Sequence, residues 1–345
     1  MNSDLQKQAA RTVCNKNGRE SMKRITTPLS ALALVAGGLA AAPLAAQEVT
    51  LRAVTAFGTT TTFSRDFLAF VERVNEEGAG LVQIDLLGGP ETMPPFEVGS
   101  AVSAGVVDIA NVTGAFYGNL LPLADALKLA EFTAAEMREN GAHDFINAMH
   151  EEQMNVHYLA RTGIGTPFHI YLTQPIEEPS LDGLRIRTTS VYRAFIDALD
   201  GVPVQTAPGE VYTALERGQV EGYGWPAQGI LDLGWHEHTR YRVDPGFYNV
   251  EVNLLVNLDT WNRLNDEQRA FLTEMGIWTE SLSDENAAIN EAEYALQAEA
   301  GIEVIAFEGA DAEAWLDTAY EAAWAVAADI DAEAAAELRA LIGTR

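Results

Sequence analysis

Three consecutive segments in the middle of the chain carry its clearest pattern: residues 181–189 read LDGLRIRTT, residues 198–204 read ALDGVPV, and residues 210–222 read EVYTALERGQVEG. Apolar side chains between the first two segments recur at helical spacing, and the third segment has the pattern of a helix followed by a short strand. The order strand, helix, strand, helix, strand predicts a mostly parallel sheet covered by helices. Parallel strands joined in this way need right-handed crossovers.

The flanking sequence predicts a second α/β unit and a helical C-terminal part. Before the central segments, the pattern predicts strands at 49–57, 81–87, 106–112, 156–160 and 168–172, with helices at 63–74, 96–105 and 137–149. After them it predicts a strand at 250–256, a long helix at 266–299, a strand at 302–307 and Ala-rich helices. No repeat of solenoid period and no low-complexity linker separates the units, which favours lobes joined by several crossing strands.

Residues 1–46 are predicted to be an N-terminal extension with a cleaved signal peptide. A basic pair at residues 23–24 precedes an uncharged, Ala-rich apolar run at residues 29–46 that ends in Ala-Ala. A membrane anchor is the alternative, but the run is short, rich in Gly and Ala, and broken by a proline. The sequence therefore predicts a secreted, periplasmic protein that begins near Gln47.

The charge and cysteine content exclude several classes of function. The chain carries 22 Lys and Arg against 50 Asp and Glu, a net charge of −28, and loss of residues 1–46 makes it more acidic still. Such a charge argues against nucleic acid and anionic membranes as partners. Cys14 is the only cysteine and precedes Gln47, so the mature chain has no disulfide, no thiolate metal site and no lipid anchor. An anionic ligand would need a local positive group, which makes each buried arginine a candidate.

No catalytic constellation stands out in the sequence. It contains no Gly-rich phosphate loop and no nucleophile elbow. His236-Glu237-His238 lacks the His-Glu-x-x-His spacing of a zinc helix. We therefore predict no enzyme activity, no metal and no cofactor. An enzyme that shares the fold stays the alternative, and it would need a reactive group that the sequence does not reveal.

Taken in order, the three central segments resemble the DctP-type solute-binding receptors of tripartite ATP-independent periplasmic (TRAP) transporters. That family has a D-x-x-G-[LM]-K-[IL]-R strand, an A-L-G-A-x-P-V turn, and an E-V-Y-x-A-L-x-x-G-x-V-D-G helix and strand. The resemblance extends from about residue 48 to residue 343 and includes WNRLNDEQ at residues 261–268.

The resemblance implies a two-lobed α/β periplasmic-binding-protein (Venus flytrap) fold, with mostly parallel sheets flanked by helices and a long helix across both lobes. Residues 48–164 and 254–290 are expected to form the first lobe, and residues 165–253 and 291–345 the second. It also implies a receptor that binds a small organic acid between the lobes and delivers it to TRAP membrane subunits.

The family resemblance assigns the ligand anchor to one arginine. In the family, the arginine that ends the Leu-Arg-Ile-Arg strand pairs with the ligand carboxylate, and that position is Arg187 here. A guanidinium presents a rigid fork of donors that meets both carboxylate oxygens. Inside a closed cleft, the pair is screened less than at a surface. Arg185 occupies the usual lysine position of the family and is expected to be solvated.

Other ligand contacts are expected where strands end, because open α/β sheets bind ligands there. The candidates are Phe57, Thr59, Asn111, Tyr117, Phe168, His169, Tyr223, Trp225 and Asn253. Dicarboxylate and sialate receptors of the family place a second arginine near Phe168 or His169, where this chain has aromatic groups. The replacement predicts a monocarboxylate ligand with an apolar, aromatic or 2-oxo body. A dicarboxylate or sugar-acid receptor and a sensor that feeds a signalling kinase are the alternatives.

Overall fold

Two mixed β-sheets organise residues 48–343 and 345, the part of the chain that the computed structural model describes. The strands are β1 (Val49–Thr55), β2 (Val82–Leu86), β3 (Ile109–Val112), β4 (Val156–Thr162), β5 (Phe168–Leu172), β6 (Arg185–Thr188), β7 (Val202–Gln205), β8 (Gly222–Pro226), β9 (Tyr241–Phe247), β10 (Val252–Asn257) and β11 (Glu303–Ala306). The first sheet has the order β2-β1-β3-β10-β4, and the second has the order β11-β9-β5-β8-β6-β7.

Helices flank both sheets. They are α1 (Thr62–Glu77), α2 (Val98–Ser103), α3 (Ala134–Glu139), α4 (Ala142–Met154), α5 (Ser190–Ala198), α6 (Val211–Glu216), α7 (Leu258–Arg263), α8 (Asp266–Ser281), α9 (Asn286–Glu299), α10 (Gly309–Ile330) and α11 (Ala332–Ile342). A 3₁₀ helix at Pro122–Leu129 lies between β3 and α3. Within residues 48–343, no helix is both long enough and apolar enough to cross a bilayer.

The first sheet is covered by α1, whose apolar side chains recur every three or four residues. Phe67, Phe70 and Val74 of this helix are fully buried and pack in one cluster with Leu51 of β1. The strands β1, β2 and β3 run parallel, while β10 is antiparallel to both β3 and β4. The α1 helix therefore connects two parallel strands, as the sequence predicts.

The second sheet contains the strands of the three central segments, at residues 181–189, 198–204 and 210–222. The strands β6, β7 and β8 run parallel, and α5 and α6 form the connections between them. The ring of Phe195 in α5 packs edge-on against Trp315 of α10, with 4.7 Å between the ring centroids. The strand β5 is antiparallel to both β8 and β9, which makes this sheet mixed as well.

In the described part of the chain, the backbone passes between the sheets at three places: from β4 to β5, from β9 to β10, and through α8 and α9. The first two passages lie side by side, because the amide of Val250 donates to the Thr166 carbonyl at 3.0 Å. Gly163 has a φ of +88°, and a Cβ there would lie 2.3 Å from Val250 Cγ1. Only glycine fits this close approach without strain.

The predicted long helix is present, with a short 3₁₀ segment at Leu282–Glu285 between α8 and α9. A capping box starts α8, since the Asn265 side chain accepts the Gln268 amide at 2.9 Å. At the other end of the long helix, α9 contacts the second sheet, because Arg242 of β9 donates to Gln297 Oε1 of α9 at 3.0 Å. In the first sheet, the amide of Arg161 on β4 donates to Glu280 Oε1 of α8 at 3.2 Å, so the long helix contacts both sheets.

Some predicted elements differ from the observed ones. The strand expected at 106–112 starts only at Ile109, and the helix expected at 96–105 is a 3₁₀ turn followed by α2. The strand β9 was not predicted, because Pro245 and Gly246 interrupt its apolar pattern. Residues 48–343 lie within a single compact unit, and the lobe boundaries stay a prediction. The predicted signal segment lies outside the described residues.

The packing at Gly224 of β8 leads to a stability prediction. A Cβ at this position would lie 2.4 Å from two ring atoms of the buried Tyr192. We expect Gly224→Ala to lower the free energy of unfolding by about 1–3 kcal/mol, because the ring must leave its packed position. Gly209→Ala is the control, since a Cβ there meets nothing within 4 Å. Urea unfolding of the two variants tests this, and equal stabilities would contradict it.

Candidate functional site

A small cavity of about 40 Å³ lies between the two sheets. Its lining comes from residues that follow β1 and β3 of the first sheet, and from β5, β6 and β8 of the second. Several of the parallel strands contribute through their carboxyl ends, the usual place for a ligand in an open α/β sheet. The residues that matter most for its chemistry are Phe57, Thr113, Phe168, Arg187, Trp225 and Glu251.

Arg187 is fully buried and lines this cavity. Its Nε and Nη2 donate to the Thr206 carbonyl at 3.0 and 2.8 Å, and Nη1 donates to the Gly224 carbonyl at 3.4 Å. The guanidinium carbon lies 5.5 Å from the Trp225 ring centroid and 5.9 Å from that of Trp235. Burial lowers the pKa of Arg187 to about 10, which leaves the side chain charged at neutral pH.

The charge of Arg187 has no carboxylate partner among the described residues. Their ion pairs involve other arginines, the lysine and histidines. Arg185, two residues earlier on β6, forms an ion pair with Glu221 and is about half exposed. The two arginines of the Leu-Arg-Ile-Arg strand therefore differ in environment: Arg187 is buried and Arg185 is about half exposed.

Three of the predicted aromatic residues, Phe57, Phe168 and Trp225, line the same cavity as Arg187. Phe168 meets Tyr192 edge-on, with 5.3 Å between the ring centroids. Trp225 meets Phe63 edge-on at 5.6 Å. The walls around the guanidinium are thus rich in aromatic side chains.

Sequence reasoning missed three further aromatic residues of the lining: Phe63, Phe116 and Tyr192. Phe63 and Tyr192 have the helical spacing of core residues, so the pattern assigns them to the interior. Both lie in the first turn of a helix that follows a strand, and this position at the sheet edge was the available signal.

Tyr117 and Asn253 do not line the cavity but form a buried hydrogen-bond network behind it. Asn253 Nδ2 donates to the Tyr117 hydroxyl at 2.8 Å, and Asn253 Oδ1 accepts from the Tyr158 hydroxyl at 3.1 Å. The Tyr117 hydroxyl contacts His150 Nε2 at 3.0 Å. Burial lowers the pKa of His150 to about 4, so its ring is neutral at physiological pH.

His169 also points away from the cavity. His169 Nδ1 lies 3.0 Å from both the Val243 carbonyl and Asp244 Oδ1, and its Nε2 contacts the Tyr294 hydroxyl at 2.9 Å. This places the imidazole between β9 and α9. Alternation along a strand explains the difference from Phe168, because neighbouring side chains point to opposite faces.

The remaining predicted positions also stay outside the cavity lining. Tyr223 bonds to the Thr239 hydroxyl at 2.6 Å, within the core of the second sheet. Asn111 is buried and donates to Thr55 Oγ1 and to the Phe63 carbonyl, each at 3.0 Å. Thr59 is partly exposed in the loop after β1. None of these three side chains lines the cavity of Arg187.

Glu251 is an acidic lining residue that was not among the candidates predicted from the sequence. Its carboxylate is buried and accepts from Thr113 Oγ1 at 2.5 Å, from the Gly114 amide at 2.8 Å and from Asn253 Nδ2 at 2.5 Å. Burial raises the pKa of Glu251 to about 7 despite these donors. The cavity therefore holds one fixed cation and one carboxyl group that titrates near neutral pH.

Two larger cavities adjoin the cavity of Arg187, since each shares lining residues with it. One of about 290 Å³ shares Phe57, Phe63 and Trp225 with the cavity of Arg187 and continues it through mostly apolar walls. Another of about 600 Å³ runs along α5 and α10. Lys128 lines that groove, but its ammonium group is already paired with Asp125 at 2.5 Å. Arg193 also lines the groove, but it is more than half exposed and lies 3.8 Å from Asp197. The cavity of Arg187, whose cation is buried, therefore offers the better chemistry for an anion despite its small size.

The described residues contain no group of three or more His, Asp or Glu side chains that could hold a metal ion. His236 and Glu237 belong to a short 3₁₀ helix, Trp235–Glu237. Glu237 accepts a hydrogen bond from the Tyr212 hydroxyl at 2.7 Å.

The two-sheet fold, with a cavity between the sheets, is that of a two-lobed solute receptor. Residues 54–328 match the family described as bacterial extracellular solute-binding protein, family 7. Because this match covers most of the chain, the chain belongs to that family, the DctP-type receptors of TRAP transporters. Its members are periplasmic binding proteins rather than enzymes, which confirms the resemblance stated from the sequence.

Individual relatives support the same fold. The chain is 29% identical over 216 residues to a monocarboxylate 2-oxoacid-binding periplasmic protein of Nostoc sp. strain PCC 7120, a match that covers 59% of this chain and 58% of that relative. A TRAP periplasmic solute-binding protein from Desulfovibrio salexigens with bound orotic acid superposes with a TM-score of 0.74 and 17% identity, covering 85% of this chain and 96% of that one. A marine metagenome TRAP protein specific for pyroglutamate gives 0.74 and 19%, covering 86% and 99%. The two-lobed α/β fold is thereby confirmed.

The pKa of Glu251 leads to a prediction about stability and pH. Its folded-state pKa of about 7 exceeds the ordinary 4.5, so the folded chain retains a proton that the unfolded chain releases. The contribution of Glu251 to the free energy of unfolding is therefore present below about pH 4.5 and is lost as the pH rises to about 7. Relative to Glu251→Gln, the wild-type free energy of unfolding should fall by roughly 2–3 kcal/mol over this range.

Urea unfolding at pH 4.5, 6 and 7.5 measures this difference. Glu152→Gln is the control, because Glu152 is exposed on α4 and its removal should leave the pH dependence unchanged. A constant difference between wild type and Glu251→Gln across the three pH values would contradict the raised pKa.

Proposed function

We propose that this chain is a receptor that captures a small monocarboxylate with an apolar body between its lobes and delivers it to TRAP membrane subunits. The observation that carries the proposal is Arg187: a fully buried guanidinium on a cavity wall, without a carboxylate partner among the described residues. In this proposal, the ligand carboxylate supplies the missing negative charge.

The cost of burying charge supports this role. A buried arginine without a counter-ion is expensive, and backbone carbonyl acceptors offset only part of that cost. A ligand carboxylate that reaches Arg187 forms charge-assisted hydrogen bonds in a site with little water. A neutral ligand would leave the guanidinium uncompensated, so discrimination against uncharged solutes follows.

The lining favours one carboxylate over two. Arg187 is the only basic residue among those that line its cavity in the described part of the chain. A second ligand carboxylate would face aromatic walls and Glu251, which repels it whenever Glu251 is ionised. Flat apolar walls favour a planar or hydrophobic ligand body instead. The names of the Nostoc relative and of the pyroglutamate-specific structural neighbour support this class.

Two contacts between residues of the two predicted lobes support a mechanism of capture by closure. Asp232, which follows β8, accepts the amide of Thr62 at the start of α1 at 3.0 Å. Ser190 of α5 donates to Asp125 at 3.1 Å. Ligand contacts that exist only when the lobes are closed shift the equilibrium to the closed form. The membrane subunits would then recognise the closed surface.

Export through the predicted signal segment at 1–46 belongs to the same proposal. Retention of the chain in the periplasm is required for a receptor that meets its solute outside the inner membrane. Detection of the mature chain in a periplasmic extract, with an N-terminus near Gln47, would support it.

The test of the anchor compares the two arginines of β6. We expect Arg187→Ala to weaken carboxylate binding at least about 100-fold, because the ligand loses its only cationic partner. Arg187→Lys should recover part of the affinity through the point charge but not the bidentate geometry. Calorimetric titration with pyruvate, 4-methyl-2-oxopentanoate, phenylpyruvate, pyroglutamate, succinate and L-malate gives the affinities.

Arg185→Ala is the matched control, since it removes an arginine of the same strand that is about half exposed and paired with Glu221. It should bind the monocarboxylates like wild type. Unchanged affinity in Arg187→Ala would contradict the anchor. Succinate or L-malate binding far more tightly than every monocarboxylate would contradict the proposed ligand class.

A further inference from the structure

A carboxyl group on the wall of a cavity that is proposed to bind an anion needs an explanation. Glu251 belongs to the passage of the chain from β9 to β10, and it lines the same cavity as Arg187. It is 2% exposed and forms no ion pair with an arginine or lysine among the described residues. An ionised Glu251 would repel a bound carboxylate unless another part of the ligand compensates.

The protein side of Glu251 is occupied by hydrogen-bond donors. Thr113 and the Gly114 amide both donate to Oε1, and Asn253 donates to Oε2. Each carboxylate oxygen has two lone-pair directions. Both directions of Oε1 are therefore used, and one direction of Oε2 stays open. Oε2 is the atom through which Glu251 can interact with a ligand.

The network behind Glu251 fixes the orientation of the Asn253 amide. His150 Nδ1 lies 2.8 Å from the Ile146 carbonyl and must donate to it, so Nε2 accepts from Tyr117. The Tyr117 oxygen then accepts one Asn253 Nδ2 hydrogen, and the second goes to Glu251. Because this chain of bonds runs in one direction, the protein presents only donors to Glu251.

The charged and titratable groups around Glu251 make its protonation sensitive to pH. Burial, with a smaller contribution from Asp125, raises the pKa of Glu251 to about 7, although the hydrogen bond from Thr113 and the charge of Arg161 on β4 lower it. Tyr117 and Tyr158 also face it, and their own raised pKa values keep both phenols neutral. Arg187 shares the cavity. Near neutral pH, Oε2 therefore exchanges between an acceptor and an O–H donor.

We propose that Glu251 determines which second polar group the ligand carries: ionised Glu251 selects a monocarboxylate with an O–H or N–H donor, and protonated Glu251 selects one with a carbonyl acceptor. This inference rests on the proposed function, since it assumes that Arg187 holds the carboxylate. It makes Glu251 a specificity-determining residue rather than an anchor. It also predicts that the preference moves from 2-oxo acids towards 2-hydroxy acids as the pH rises.

The test uses two pairs of acids with nearly the same shape. The first pair is 2-hydroxy-4-methylpentanoate and 4-methyl-2-oxopentanoate, and the second is pyroglutamate and 5-oxotetrahydrofuran-2-carboxylate, in which a ring oxygen replaces the N–H. Affinities of the full-length mature chain are measured by calorimetry at pH 5.5 and 8.5, in buffer without Na⁺ or Ca²⁺. All four carboxylates are ionised at both pH values, so only protein groups change.

We expect the ratio of Kd for the acceptor acid to Kd for the donor acid to rise about 10-fold from pH 5.5 to pH 8.5 in the wild type, as for a charge-assisted hydrogen bond gained by one ligand alone. In Glu251→Gln the ratio should not change with pH, while both acids still bind. Glu280→Gln is the matched control: Glu280 is also buried but pairs with Arg138 away from the cavity lining. It should keep the wild-type shift.

A ratio that is independent of pH in the wild type would overturn the inference and leave the proposed function standing. So would a shift that persists in Glu251→Gln. A preference for the 2-oxo acid at pH 8.5 that appears only after addition of Na⁺ or Ca²⁺ would also overturn it, by indicating a bridging cation. If none of the four acids binds to the wild type, the proposed function fails together with the inference.

Discussion

The burial of the Arg187 guanidinium is the constraint on which the rest of the cavity depends. The strand β6 carries it into the space between the sheets, and the carbonyls of Thr206 and Gly224 accept its hydrogen bonds. These carbonyl acceptors orient the guanidinium group without neutralising its charge. Trp225 and Trp235 lie within 6 Å and keep water away from it. A cation held in this way is prepared for an anion that arrives from outside the chain.

The same arrangement explains why the site needs both sheets. The second sheet supplies Arg187, Phe168 and Trp225, and the first supplies Phe57 and Thr113. Glu251 belongs to a passage between the sheets, so its position depends on how the lobes meet. In the proposed mechanism, closure of the lobes would bring the charge, the walls and the titratable group together around the ligand. Ligand selectivity and closure would then depend on the same equilibrium, because ligand contacts made only in the closed form favour that form.

Much of the fold could be predicted because local pattern and tertiary role agree. The spacing of Tyr192, Phe195 and Ile196 predicts α5, and the family motif selects Arg187. Other features depend on tertiary contacts that no local pattern encodes. Glu251 alternates with Val250 and Val252 like a solvent-facing strand residue, yet it is buried. Asn253 and Tyr117 were expected at the ligand but bond to each other instead. His169 follows Phe168 directly and faces the opposite side of β5.

A crystal structure of the mature chain with the monocarboxylate that raises its melting temperature most would test the central claim most directly, since a ligand that binds only the folded form stabilises it. The account predicts the ligand carboxylate in bidentate contact with Arg187, with the ligand body between Phe168 and Trp225. A carboxylate bound elsewhere, for example in the groove beside Lys128, with Arg187 still bonded only to backbone carbonyls, would contradict it.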